Sequence, residues 1–144
     1  GTYFPGAPST SEKASAQGPY FAAFAKQAKS VTTIPIMLTG GFRTRAQANE
    51  ALLDGTADLI GLARALVLDP SLPQAWLGRE DKDPAFPVFD APPPGSLTAW
   101  YSMRLTALGR DAEDKFCTAP AEALRAYDAR DEDRARDWKR RFGP

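Results

Sequence analysis

Two short apolar runs, Ile34-Pro35-Ile36-Met37-Leu38-Thr39 and Leu59-Ile60-Gly61-Leu62, are separated by one stretch of helical periodicity. Few folds accommodate that order. An apolar run without polar alternation, bounded by turn residues, reads as a strand covered on both faces. A strand, a helix and a strand with short connections then give parallel strands joined by a right-handed crossover. Pro35 belongs at the start of its strand, where a missing backbone donor costs least. Thr44 and Gln47 carry a capping-box signature that opens the intervening helix. Its inner face is predicted to be Ala48, Ala51 and Leu52, and Gly55 is placed to end it in the left-handed conformation.

The flanks extend the alternation. Residues 4–18 are rich in Pro, Gly and Ser and predict a long loop. From Pro19, the residues Phe21, Phe24, Ala25 and Ala28 recur at the spacing of one helical face, which predicts a helix of about three turns. After the second run, residues 65–68 look helical, and Pro73 opens a short helix through Trp76. A charged patch and Pro92-Pro93-Pro94 mark residues 79–96 as a linker. Leu97, Trp100, Tyr101, Arg104, Leu105 and Leu108 predict a tail helix stopped at Gly109, and a last, charge-rich helix runs from Pro120 to Arg141.

Length limits what these elements can close into. A complete (β/α)₈ barrel takes roughly 250 residues, so a chain of 144 holds only part of one. Position 1 is Gly rather than Met and leads directly into a loop, from which truncation of a longer chain is expected. Eighteen basic residues balance eighteen acidic ones, which points to neither nucleic acid nor an anionic membrane as partner. No run approaches the ~20 apolar residues of a membrane span, and no secretory signal opens the chain, so a cytoplasmic location is expected. The single cysteine, Cys117, and the absence of histidine exclude an internal disulfide, a common zinc site and a Ser-His or Cys-His dyad.

The chemistry gathers at the two strand ends, Thr39-Gly40-Gly41 and Gly61-Leu62-Ala63-Arg64. Parallel strands bring their C-terminal ends to one rim, and in a barrel the loops after strands seven and eight commonly form a phosphate site. Gly40 and Gly41 carry no side chain to hold an anion off their backbone donors. The N–H groups of Ala63 and Arg64 open a helix, whose dipole favours negative charge. The Arg64 guanidinium can bond phosphate bidentately. Taken alone, Gly40-Gly41 also suits a plain tight turn, and many phosphate-binding barrels share the constellation.

The words around it are more specific: Pro35-Ile36-Met37-Leu38-Thr39-Gly40-Gly41-Phe42-Arg43-Thr44, Gly55-Thr56-Ala57-Asp58-Leu59-Ile60-Gly61-Leu62-Ala63-Arg64 and Asp69-Pro70-Ser71-Leu72-Pro73. The stretch from residue 1 to about 78 resembles the C-terminal part of the Old Yellow Enzyme and NADH:flavin oxidoreductase family. The tail with Trp100-Tyr101 is similar, less specifically, to the end of its fungal-like branch. The resemblance implies the last two strands of an α/β (β/α)₈ TIM barrel over residues 1–78, a linker over 79–96 and a helical tail over 97–144. It further implies FMN as cofactor, NAD(P)H as reductant and an α,β-unsaturated carbonyl compound as small-molecule substrate. Gly40, Gly41, Ala63 and Arg64 would hold the FMN phosphate, while the family's catalytic residues belong to earlier strands, so no catalytic residue and no metal ligand is expected in this chain. Ala63 and Ala65 depart from the Gly and Pro that often flank the family's arginine, although each alanine keeps a backbone N–H.

Other residues have plainer readings. Arg43 and Arg45 fit a solvated loop, Tyr3 either a loop residue near the mouth of the family's active site or a packing tyrosine, Cys117 a buried or incidental thiol, and Trp76, Trp100 and Trp138 anchors for packing. The charges from Asp128 to Arg141 suit helical pairs such as Asp133/Arg136 and Asp137/Arg140. Two further functions fit the same strand ends: a barrel isomerase or synthase acting on a phosphorylated metabolite, and a non-catalytic half-barrel that binds a partner.

Overall fold

The computed structural model describes residues 18–80, 82–116 and 118–143. The expectations for Gly1-Thr2-Tyr3, for the loop up to residue 17 and for Cys117 lie outside the described residues. The chain divides into two compact units, residues 1–86 and 87–144.

In the first unit the order is α1 (Ala22–Val31), β1 (Met37–Thr39), α2 (Arg45–Leu53), β2 (Leu59–Gly61), α3 (Arg64–Leu68) and α4 (Leu72–Leu77). β1 and β2 pair in parallel, as the alternation predicts, with Met37 opposite Leu59, Leu38 opposite Ile60 and Thr39 opposite Gly61. Successive strand residues face opposite sides of a sheet. Leu38, 3% exposed, and Ile60 therefore share a face, and they join Ala25, Phe42, Ala48, Ala51 and Ala57 in the core.

The opposite face differs from expectation. Met37 and Leu59 are 61% and 49% exposed, so the described residues cover the sheet on one side only, not on both. The α1 face also turns out differently. Ala25 is buried and Ala22 packs against the core, but Phe24 is 69% exposed. The helical spacing is real, yet two strands leave no further surface for Phe24 to cover. Leu52, predicted on the inner face of α2, is likewise exposed, while Ala48 and Ala51 are buried.

Local chemistry fixes the connections. Thr44 caps α2 by accepting from the Gln47 backbone, and the Gln47 side chain accepts in return from the backbone N–H groups of Arg43 and Thr44 at 2.8 and 3.2 Å. Gly55 follows α2 at φ +72°, the left-handed conformation its position predicts. β1 is shorter than the apolar run because Ile36 is held mainly by Asp58, the residue just before β2. The Ile36 N–H donates to the Asp58 carboxylate at 2.8 Å, and its carbonyl accepts from the N–H groups of Asp58 and Leu59. The same carboxylate pairs with Lys29 of α1, and Asp54 pairs with Lys26 at 3.1 Å, so two ion pairs fasten α1 to the α2–β2 connection.

Residues 82–86, within the stretch read as a linker, are bound to the first unit. Trp76 Nε1 donates to the Lys82 carbonyl, Lys82 pairs with Asp69, and Asp83 accepts from the Arg45 backbone at 2.8 Å. Arg43 lies 4.2 Å over the Phe86 ring, so it is engaged in packing rather than simply solvated.

The second unit holds α5 (Ser96–Leu108), a 3₁₀ turn at Glu113–Lys115 and α6 (Pro120–Phe142). Trp100 anchors it: the indole, 8% exposed, meets the rings of Phe89, Tyr101 and Phe116 and donates to the Thr118 carbonyl at 2.9 Å. α6 packs through Ala123, and Arg130 reaches Thr106 of α5 at 3.0 Å. Arg136 pairs with Asp133, and Arg140 with Asp137, as the helical spacing predicts. Trp138 is not the anchor expected of it, being 60% exposed with the Phe142 ring tilted beside it. No described helix is long and apolar enough to cross a membrane.

Candidate functional site

The rim is built by register. Because Thr39 and Gly61 are the last paired residues of neighbouring parallel strands, the chain leaves both strands on the same side of the sheet. Gly40-Gly41 departs from β1 and Leu62-Ala63-Arg64 from β2, so the structure brings together the two segments that the sequence singles out. A hydrogen bond from Thr39 Oγ1 to the Gly61 carbonyl, 3.0 Å long, ties the strand ends.

Gly40 and Gly41 have φ of +95° and +85°. A side chain there would cost roughly 1–2 kcal/mol per residue from backbone strain alone. Space excludes it too. A Cβ on Gly40 would lie 2.4 Å from Tyr20 Oη and 2.5 Å from its Cζ, and one on Gly41 would lie 2.1 Å from the Gly18 carbonyl oxygen. The bare Cα positions are thus filled by the segment leading into α1, and the glycines serve chain packing. Downstream, Gln47 holds the same loop by accepting from Arg43 and Thr44.

At the second strand end, Ala63 occupies the N-cap position of α3, and no side chain caps it. Ala65, the departure from the family's Pro, is buried at 2% exposure, where its methyl packs inside the unit. α3 is capped at its C-terminus by Asp69, directly before Pro70, whose missing N–H and ring disfavour continuing the helix. The Asp69 carboxylate accepts from the Ser71 hydroxyl at 2.6 Å and from its N–H at 2.9 Å. Lys82 first, then Ser71, hold that carboxyl below its ordinary range, and Asp69 in turn raises the Lys82 ammonium.

Tyr20 is the site neighbour that the sequence did not disclose. The helical stripe pointed to Phe21 and Phe24, and the available signal was weaker: a Gly18-Pro19 turn placing an aromatic residue at a helix start. Chemically, the four residues Gly40, Gly41, Ala63 and Arg64 contribute backbone donors and a guanidinium but no carboxylate, a set suited to an anion. Among the described residues, no group of three or more His, Cys, Asp or Glu side chains could hold a metal ion.

No family model and no solved structure matches the chain. Three curated proteins do. It is 43% identical over 60 residues to the NADH-dependent flavin oxidoreductase iliE of Neonectria sp. (strain DH2), covering 41% of this chain and 8% of the relative. Identity is 37% over 81 residues to the NADH-dependent flavin oxidoreductase iliE of Hypocrea jecorina (strain QM6a), covering 55% of this chain and 20% of the relative. It is 48% over 42 residues to the NADH-dependent flavin oxidoreductase iccE of Talaromyces variabilis, covering 29% and 10%. The matched stretches therefore span a fifth or less of the relatives' length. These three matches support the resemblance to the NADH:flavin oxidoreductase family over the stretches they cover.

Proposed function

We propose that this chain supplies the last two βα units of a (β/α)₈ flavin oxidoreductase, and that Gly40, Gly41, Ala63 and Arg64 hold the phosphate of FMN. The observation that carries the reading is the Thr39–Gly61 register, which sends both candidate segments out of the sheet on one rim. The uncovered Met37 and Leu59 side supports it as well, because a strand face of this kind is normally buried against the rest of a barrel.

In this reading the peptide N–H groups after each strand bind phosphate oxygens, and Arg64 supplies a charge-assisted bond, each such bond contributing about 1.5–3 kcal/mol. The chemistry supplied by the bound cofactor is hydride transfer from reduced nicotinamide to an activated carbon–carbon double bond. NADH is the favoured reductant, on the names of the relatives. The residues that polarise and protonate such a substrate belong, by the family resemblance, to earlier strands, so the chain alone binds phosphate without turning over an alkene.

The test compares FMN with riboflavin, which lacks the phosphate, on the full-length protein that carries this chain. The expected result is tighter binding of FMN than of riboflavin. Arg64→Ala should weaken FMN about tenfold to a hundredfold and leave riboflavin nearly unchanged. Equal affinity for the two flavins in the unaltered protein would remove the assignment.

A further inference from the structure

Glycine turns that present backbone donors have a weakness: without a Cβ, each residue explores far more conformations than any other, and the N–H directions scatter. An anion site built on Gly40-Gly41 needs something to hold those two peptides. The loop's downstream end is fixed by Gln47, whose side-chain oxygen accepts from the Arg43 and Thr44 backbones. The glycines themselves lie upstream of that clamp.

The Tyr20 ring reaches them. Its Oη, Cζ and Cε2 atoms sit 2.4, 2.5 and 2.7 Å from where a Gly40 Cβ would stand, so the phenol end of the ring rests against the bare Gly40 Cα. The Gly18 carbonyl takes the corresponding place at Gly41. Phe21 packs edge-on against the Tyr20 ring, with centroids 4.7 Å apart. The residue is anchored by its position as well, because Pro19 accepts from Ala22 at 3.1 Å in the first turn of α1. A ring packed against a glycine restricts its backbone conformations before any ligand arrives, and ordering completed beforehand does not weaken binding.

We propose that Tyr20 is a positioning residue of the phosphate rim, its ring holding the Gly40 backbone so that the Gly40 and Gly41 N–H groups converge on the anion. The inference rests on the function proposed above and goes further by assigning a role to a residue outside the strand-end motif. It also makes the packing of the phenol end against Gly40, rather than a hydrogen bond from the hydroxyl, the working part.

The experiment uses the full-length protein with Tyr20 unaltered, Tyr20→Phe and Tyr20→Ala, each titrated with FMN and with riboflavin by flavin fluorescence. Tyr20→Phe should keep the FMN preference of the unaltered protein. Tyr20→Ala should bind FMN about tenfold more weakly while riboflavin changes by less than about twofold. If the alanine variant is insoluble, Tyr20→Leu replaces it and is read by the same criteria. Three results overturn the proposal: a truncated side chain that keeps the FMN preference, parallel losses for both flavins, or a Tyr20→Phe loss equal to that of Tyr20→Ala. An unaltered protein without FMN preference would instead sink the assigned function, and this inference with it.

Discussion

Thr39 and Gly61 close on one another at the last rung of the sheet: the Thr39 hydroxyl donates to the Gly61 carbonyl at 3.0 Å, and a Cβ on Gly61 would lie 2.9 Å from Thr39 Cβ. The hydrogen bond and the missing side chain are two aspects of one close approach. Gly61→Ala should therefore destabilise by about 1–3 kcal/mol through overpacking, and Thr39→Val by about 1 kcal/mol through the lost bond. Thermal midpoints of the two variants test the ranking. In the double variant the effects should not add, because both act on the same contact.

Two glycines with similar backbone angles should respond very differently to alanine. Gly55, at φ +72°, has nothing within 4 Å of a new Cβ, so Gly55→Ala carries only the left-handed strain of about 1–2 kcal/mol. Gly41, at φ +85°, would drive its Cβ to 2.1 Å from the Gly18 carbonyl oxygen, a backbone atom that cannot turn aside. Gly41→Ala should cost about 2–5 kcal/mol, strain and overpacking together. Urea midpoints that rank the two variants equally would refute the packing described at the rim.

Acid should loosen α1 before the rest of the first unit. Hydrogen bonds from Thr56, then the Lys26 ammonium, lower Asp54 to about 2, and Lys29 with the Ile36 N–H lowers Asp58 from 3.8. Both folded-state values lie below the unfolded ones. Their contribution is thus complete above the ordinary carboxylate range, and it is lost as pH falls through that range toward the folded values. Both groups are exposed, so the effect is modest and screened by salt. Protection factors of the α1 amides, taken relative to intrinsic exchange at each pH, should fall between about pH 5 and pH 2.5, and Asp58→Ala should flatten that dependence. An α1 whose protection is independent of pH in both proteins would contradict the role given to these ion pairs.

Much of the first unit was legible in the sequence because its signals are local. The Thr44–Gln47 capping box, the Gly55 stop, the two apolar runs and the parallel pairing they imply all depend on residues close in the chain, and the structure contains each. What periodicity could not supply was the presence of a surface to pack on. Phe24 and Leu52 fall at helical spacing yet stay exposed, because spacing identifies a face without saying whether anything covers it. The same limit applies to Met37 and Leu59, read as covered on both sides of the sheet. Tyr20 was missed for another reason: its contact with Gly40 spans twenty residues and depends on the exit angle of α1, for which no local motif exists.

The two tail tryptophans show how burial, not residue type, sets the energetic role. Both were expected to anchor helices, and both lie on helices with aromatic neighbours. Trp100 is 8% exposed among Phe89, Tyr101 and Phe116, and its indole N–H is satisfied by Thr118. Trp100→Ala removes that packing and leaves the Thr118 carbonyl without its donor, so a loss of about 3–5 kcal/mol is expected. Trp138 is 60% exposed and meets Phe142 only in a loose tilted contact, with centroids 6.0 Å apart. Trp138→Ala should change stability by less than about 0.5 kcal/mol, as surface substitutions do. Equal destabilisation by the two substitutions in a urea titration would mean that the end of α6 is buried in the protein in solution.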